Sequence, residues 1–107
     1  MSSTHPAQLI SEFVDDADMR ELVDLFVSEL PQRIEAIRGA LGTQRYRDLQ
    51  RLAHQLKGAA GGYGFPTIGA AAGVLEGTLK QNDEPPVARL RGEVDALIAL
   101  CNRAAGA

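Results

Sequence analysis

Four stretches of this chain carry apolar residues at alternating steps of three and four. From Met19 the series is Leu22, Val23, Phe26, Leu30, Ile34, Ile37 and Leu41. It is followed by Tyr46, Leu49, Leu52, Ala53, Leu56 and Ala60, then Ile68, Ala72, Leu75 and Leu79, then Val87, Leu90, Val94, Leu97, Ile98 and Cys101. That spacing puts each series on one face of an α-helix, and a helix with a single apolar stripe must bury it against others. With 107 residues there is room for one core. Aromatic residues are only 5% of the chain, and no stretch alternates with period two. The expected fold is therefore all-α: an antiparallel four-helix bundle with a short additional N-terminal helix.

Residues 1–8 read as a loose polar tail and 9–104 as the bundle. Pro6 is placed to start the short helix, which carries Leu9, Ile10 and Phe13. Asp15, Asp16 and Asp18 are N-cap candidates for the next helix. Pro31 should bend that helix without ending it, because the stripe continues beyond it. Gly42-Thr43 is expected to close it and to cap a helix over about residues 44–62. Gly62-Tyr63-Gly64-Phe65-Pro66 reads as a tight connection, with proline in the first turn of the next helix. Asn82-Asp83-Glu84-Pro85-Pro86 is the last break, and the final helix frays into residues 104–107.

A net charge of −3 gives no global field for nucleic acid. The single cysteine, Cys101, excludes an internal disulfide and a cysteine-based zinc cluster. His5 lies in the tail, and no spacing matches a metal motif, so no metal site is expected. No apolar run approaches the ~20 residues of a membrane span, and no signal peptide is evident. A cytoplasmic protein without a membrane partner is expected. The stripes look satisfied within one bundle, which leads us to expect a monomer.

His54 faces the wrong way for a core residue. At ~100° per residue it lies about 150° from the centre of its helix's apolar stripe, pointing to solvent. Gly58 and Gly61 flank its direction, although a glycine inside a helix costs about 1 kcal/mol relative to alanine. They strip side chains from the surface beside the ring. Gly58 and Gly62 could instead mark close packing of a further element, such as the N-terminal helix. Arg47, Gln50 and Arg51 lie one to two turns back and Lys57 one turn on, a basic surround suited to an anion or an acidic partner. A solvated polar face is the alternative reading of the same residues.

In a hairpin turning at residues 63–66, His54 stands about 14 Å from the turn and Glu76 about 15 Å. Glu76 can thus accept a hydrogen bond from the imidazole, fixing its tautomer and leaving the other nitrogen free to attack. An ion pair between Glu76 and Lys57 or Lys80 is the competing use of that carboxylate.

The run His54-Gln55-Leu56-Lys57-Gly58-Ala59-Ala60-Gly61-Gly62-Tyr63-Gly64-Phe65 resembles the signature of histidine phosphotransfer (HPt) domains: H-x-L-K-G and two small residues, with a glycine ten positions after the histidine. Leu75-Glu76 fits the same pattern, where many relatives have Gln at the second position. Phe26, Pro31 and Ile34 look like the family's preceding helix, and the resemblance spans about residues 10–101. It implies that His54 is phosphorylated, that Lys57 offsets the phosphoryl charge, that Gly58 keeps the docking surface open and that Glu76 orients the imidazole. It also implies response-regulator receiver domains as partners, a hybrid sensor histidine kinase beside them, with Mg²⁺ on the receiver and no cofactor on this chain. No nucleotide-binding loop is present, so no kinase activity of its own is expected. The Gly-Tyr-Gly-Phe segment and Glu76 also resemble the phosphoacceptor domain of chemotaxis-type histidine kinases. A non-catalytic helical interaction module is the third reading.

Overall fold

The computed structural model describes residues 7–105. In chain order it contains β1 (Leu9–Ile10), α1 (Arg20–Gly42), α2 (Tyr46–Gly62), α3 (Pro66–Gln81), α4 (Val87–Arg103) and β2 (Ala104–Ala105). The four periodic stretches are the four helices. Their stripes meet in one core containing Val23, Phe26 and Ile37 of α1, Leu49 and Leu56 of α2, Ile68 and Leu75 of α3, and Leu90 and Leu97 of α4. Burying a side chain such as Leu49 or Leu56 contributes about 1.5–3 kcal/mol, so the core and not helix propensity holds the fold. The α1 helix runs unbroken through Pro31, and Pro66 occupies the first turn of α3. Among the described residues no helix is long and apolar enough to cross a membrane.

Contacts between α2 and α3 descend one helix as they ascend the other. A Cβ built on Gly69 meets the Lys57 carbonyl at 3.4 Å and Gly61 N at 3.7 Å, and one on Gly73 meets Lys57 Cδ at 3.5 Å. Glu76 then meets His54. Glycine at 69 and 73 lets the two backbones approach and gives the Lys57 stem a bed to lie on.

The expected N-terminal helix is absent from the described residues. Leu9–Ile10 instead pairs in parallel with Ala104–Ala105, and turns occupy residues 12–19. Short polar side chains there satisfy the backbone locally: Phe13 N–H donates to Ser11 Oγ at 3.0 Å and Asp18 N–H to Asp16 Oδ1 at 2.9 Å. The same segment clasps the α2–α3 connection. Ser11 Oγ donates to the Tyr63 carbonyl at 2.6 Å, and Glu12 N–H donates to the Gly64 carbonyl at 2.8 Å. Gly64 has φ +86°, and a Cβ there would lie 2.5 Å from Ser11 Oγ, so the clasp requires glycine. Below it Phe26 stacks on Tyr63 and Phe65, with ring centroids 5.3 and 5.6 Å away. Residues 1–6, with most of the expected tail and His5, and residues 106–107 lie outside the described residues.

Helix ends differ from the expected caps. Met19 occupies the N-cap of α1 with no side-chain bond, while the Asp16 carboxylate upstream accepts from the Asp18 N–H within the turn. Thr43 does not cap α2. Its hydroxyl donates back to the Gly39 carbonyl at 2.7 Å, Gln44 turns through φ +58°, and Arg45 is the N-cap. Leu22, assigned to the α1 stripe, is exposed, as is Leu25: the buried series begins at Val23 and runs through Phe26 and Leu30.

Candidate functional site

The outward face of α2 is bare around His54. Among the described residues, a Cβ placed on Gly58, Gly61 or Gly62 would meet no atom within 4 Å. Close packing of a further element on Gly58 and Gly62 is not seen among the described residues, since none of their elements covers these positions. The His54 side chain is 70% exposed. Its Nδ1 lies 2.7 Å from Oε2 of Glu76, whose side chain is only 6% exposed. An ionised carboxylate only accepts, so at this distance Nδ1 carries a proton, and it is in the neutral ring that Nε2 keeps the lone pair. Among the described residues Nε2 has no hydrogen-bond partner.

Glu76 sits deeper than a boundary position. It faces α2 between Leu75 and Leu79 of the core and is reached by three cationic or protonatable side chains. Lys80 Nζ is 3.3 Å from Oε2, one helical turn on, and Lys57 Nζ is 3.8 Å from Oε1. Burial pushes the Glu76 carboxyl upward. The hydrogen bonds from His54 and Lys80, with the charges on both, outweigh it and hold the group below the usual carboxylate range. The hydrogen bond to His54 and the lysine ion pairs thus coexist in one network. The Lys57 contact is long and its side chain half exposed, so screening leaves it little energy of its own.

The structure brings His54, Lys57 and Glu76 together. Arg47, Gln50 and Arg51 line a concavity of about 450 Å³ with His54, Glu76 and Lys80. Gly58 and Gly61 lie on the bare continuation of the same face. Lys80 was foreseen only as an ion-pair partner of Glu76, not as a wall of the site. The signal for it was its i+4 spacing from Glu76, which carries it to the rim facing α2.

Chemically the arrangement is an exposed nucleophilic nitrogen whose opposite nitrogen is fixed by a buried anion, on a surface open to a large reactant. No curated protein and no solved structure matches the chain. A family model described as Hpt domain matches residues 21–103, which contain all four helices apart from Arg20, together with every residue of this site. The chain belongs to the Hpt domain family, and with it to histidine phosphotransfer in two-component signalling.

Proposed function

We propose that His54 accepts a phosphoryl group from the phospho-aspartate of a receiver domain and relays it to a second receiver. The observation that carries this reading is the 2.7 Å contact between an exposed imidazole and a buried carboxylate. In the step, Nε2 attacks phosphorus in line, the bond from phosphorus to the aspartyl oxygen breaks, and the aspartate leaves as a carboxylate. The ring then carries phosphate on Nε2 and its proton on Nδ1, a cationic imidazole that Glu76 offsets. The transition state is loose, so positioning and electrostatics supply most of the rate.

Each remaining residue has a part in this reading. Lys57 and Lys80 place ammonium groups near the transferred phosphoryl group, Gly58 and Gly61 admit the receiver's surface, and Arg47, Gln50 and Arg51 contact its flank. The receiver brings the Mg²⁺. The reading takes the helices as an antiparallel bundle, which the opposed run of α2 and α3 supports.

Incubation with phosphorylated receiver domains and Mg²⁺ tests it. Acid-labile label is expected on the native chain and none on His54→Gln or His54→Ala. Equal labelling of His54→Gln overturns the assignment. Labelling only by a kinase domain with ATP favours the chemotaxis-type reading.

A further inference from the structure

Toward the N-terminus of α2 the surface beside His54 is not bare. The concavity lined by Arg47, Gln50, Arg51 and Lys80 adjoins a second hollow of about 340 Å³. The second shares Arg47, Gln50 and Lys80 with the first and continues past Tyr46 and Leu79 to Asn82 and Asp83. Together they make one groove between α2 and α3, leading from the imidazole to the end of the bundle where α2 begins and α3 stops. From residue 54 to residue 46 it spans about 12 Å.

Beside His54 the exposed charges of the groove are Arg47, Arg51 and Lys80, with the carboxylate of Glu76 buried beneath them and Asp83 at the far end, in a chain whose net charge is −3. Arg51 is shared with Asp48 at 3.6 Å, and Lys80 with Glu76 at 3.3 Å. Arg47 is exposed and has no ion-pair partner among the described residues. On the other side of His54 lie Gly58, Gly61 and Gly62, with neither charge nor side chain. The imidazole therefore stands at the border between a bare strip, where Lys57 is the cation, and a groove walled by Arg47, Arg51 and Lys80. A partner large enough to cover the histidine meets different chemistry on its two sides.

We propose that this groove receives an acidic segment of the partner protein, a short run of Asp and Glu side chains beside the partner's reacting site, and so fixes the partner's orientation. The partner's identity as a receiver rests on the relay reading above; the charge complementarity does not. Carboxylates of the segment pair with Arg47 and Arg51 on one rim and Lys80 on the other, and the Gln50 amide donates from between them. Asp83 closes the far end and repels a longer acidic run. Because the cations are exposed, they act on association rate and partner choice more than on affinity.

Two measurements test this. An octapeptide of alternating Asp and Glu is titrated into the chain at low salt and followed by NMR. Saturable shifts are expected at Arg47, Gln50, Arg51 and Lys80, and binding about fivefold weaker in Arg47→Glu/Arg51→Glu. Shifts spread evenly over every arginine and lysine, or unchanged binding by the double variant, overturn the proposal. With a phosphorylated receiver as donor, the double variant lowers the second-order transfer rate about tenfold at low ionic strength and flattens its salt dependence. An unchanged rate and salt slope also overturn it. Failure of every receiver to label His54 overturns the relay reading alone, and the peptide titration still decides the groove. Circular dichroism of the variant confirms that its helices are intact.

Discussion

Oε2 of Glu76, nearly sealed inside the helix pair, lies 2.7 Å from Nδ1 of His54, whose ring is mostly in solvent. A buried anion thereby holds an exposed nucleophile. The carboxylate is held below its usual range, against its burial, by its hydrogen bonds from His54 and Lys80 and the charges on them, and the ring is oriented without being covered.

Removing the acceptor should slow transfer. A hydrogen bond worth about 1.4 kcal/mol in the transition state corresponds to a tenfold change in rate. Glu76→Ala is expected to lower the single-turnover rate by at least about that factor. Glu76→Gln keeps an acceptor oxygen and should lose less. Equal rates in the native chain and both variants would show that ring orientation does not limit transfer.

The same carboxylate couples stability to pH. Its folded-state pKa lies below its ordinary value of 4.5, so its contribution is present above that value and is lost as pH falls through the lower folded value. The melting temperature of the native chain should exceed that of Glu76→Gln at pH 6, and the gap should narrow on acidification below about pH 4.5. A gap that is constant with pH, or widens toward acid, contradicts this assignment.

Gly58 separates folding from docking. Its Cβ direction is open, so Gly58→Ala should stabilise α2 by about 1 kcal/mol and raise the melting temperature by several degrees. Gly58→Phe should retain the helices yet slow transfer from a phosphorylated receiver. If the phenylalanine variant transfers at the native rate, access is not why glycine stands there.

Gly64 should behave in the opposite sense. Alanine there meets an unfavourable φ of +86° and collides with Ser11 Oγ and Glu12 N, so Gly64→Ala should cost about 1–3 kcal/mol in urea unfolding. Ser11→Ala leaves the Tyr63 carbonyl without its partner and should cost about 1 kcal/mol. A Gly64→Ala variant as stable as the native chain would show that the clasp readily rearranges.

The four helices were legible because helix formation is local. Each backbone bond joins residues four apart, so a stripe such as Leu49, Ala53, Leu56 and Ala60 reports both the element and its buried face. His54 was legible for the same reason, lying opposite that stripe, and one turn count placed Glu76 beside it. The depth of Glu76 and the place of Lys80 on the groove wall depend on how closely α3 packs against α2, which Gly69 and Gly73 set through contacts between helices. The N-terminal segment was misread because its partners are remote. Leu9 and Ile10 pair with Ala104 and Ala105, and Ser11 and Glu12 bond the carbonyls of Tyr63 and Gly64. Local periodicity says nothing about which distant carbonyls a finished turn will leave open, so only the folded bundle could choose turns over a helix there.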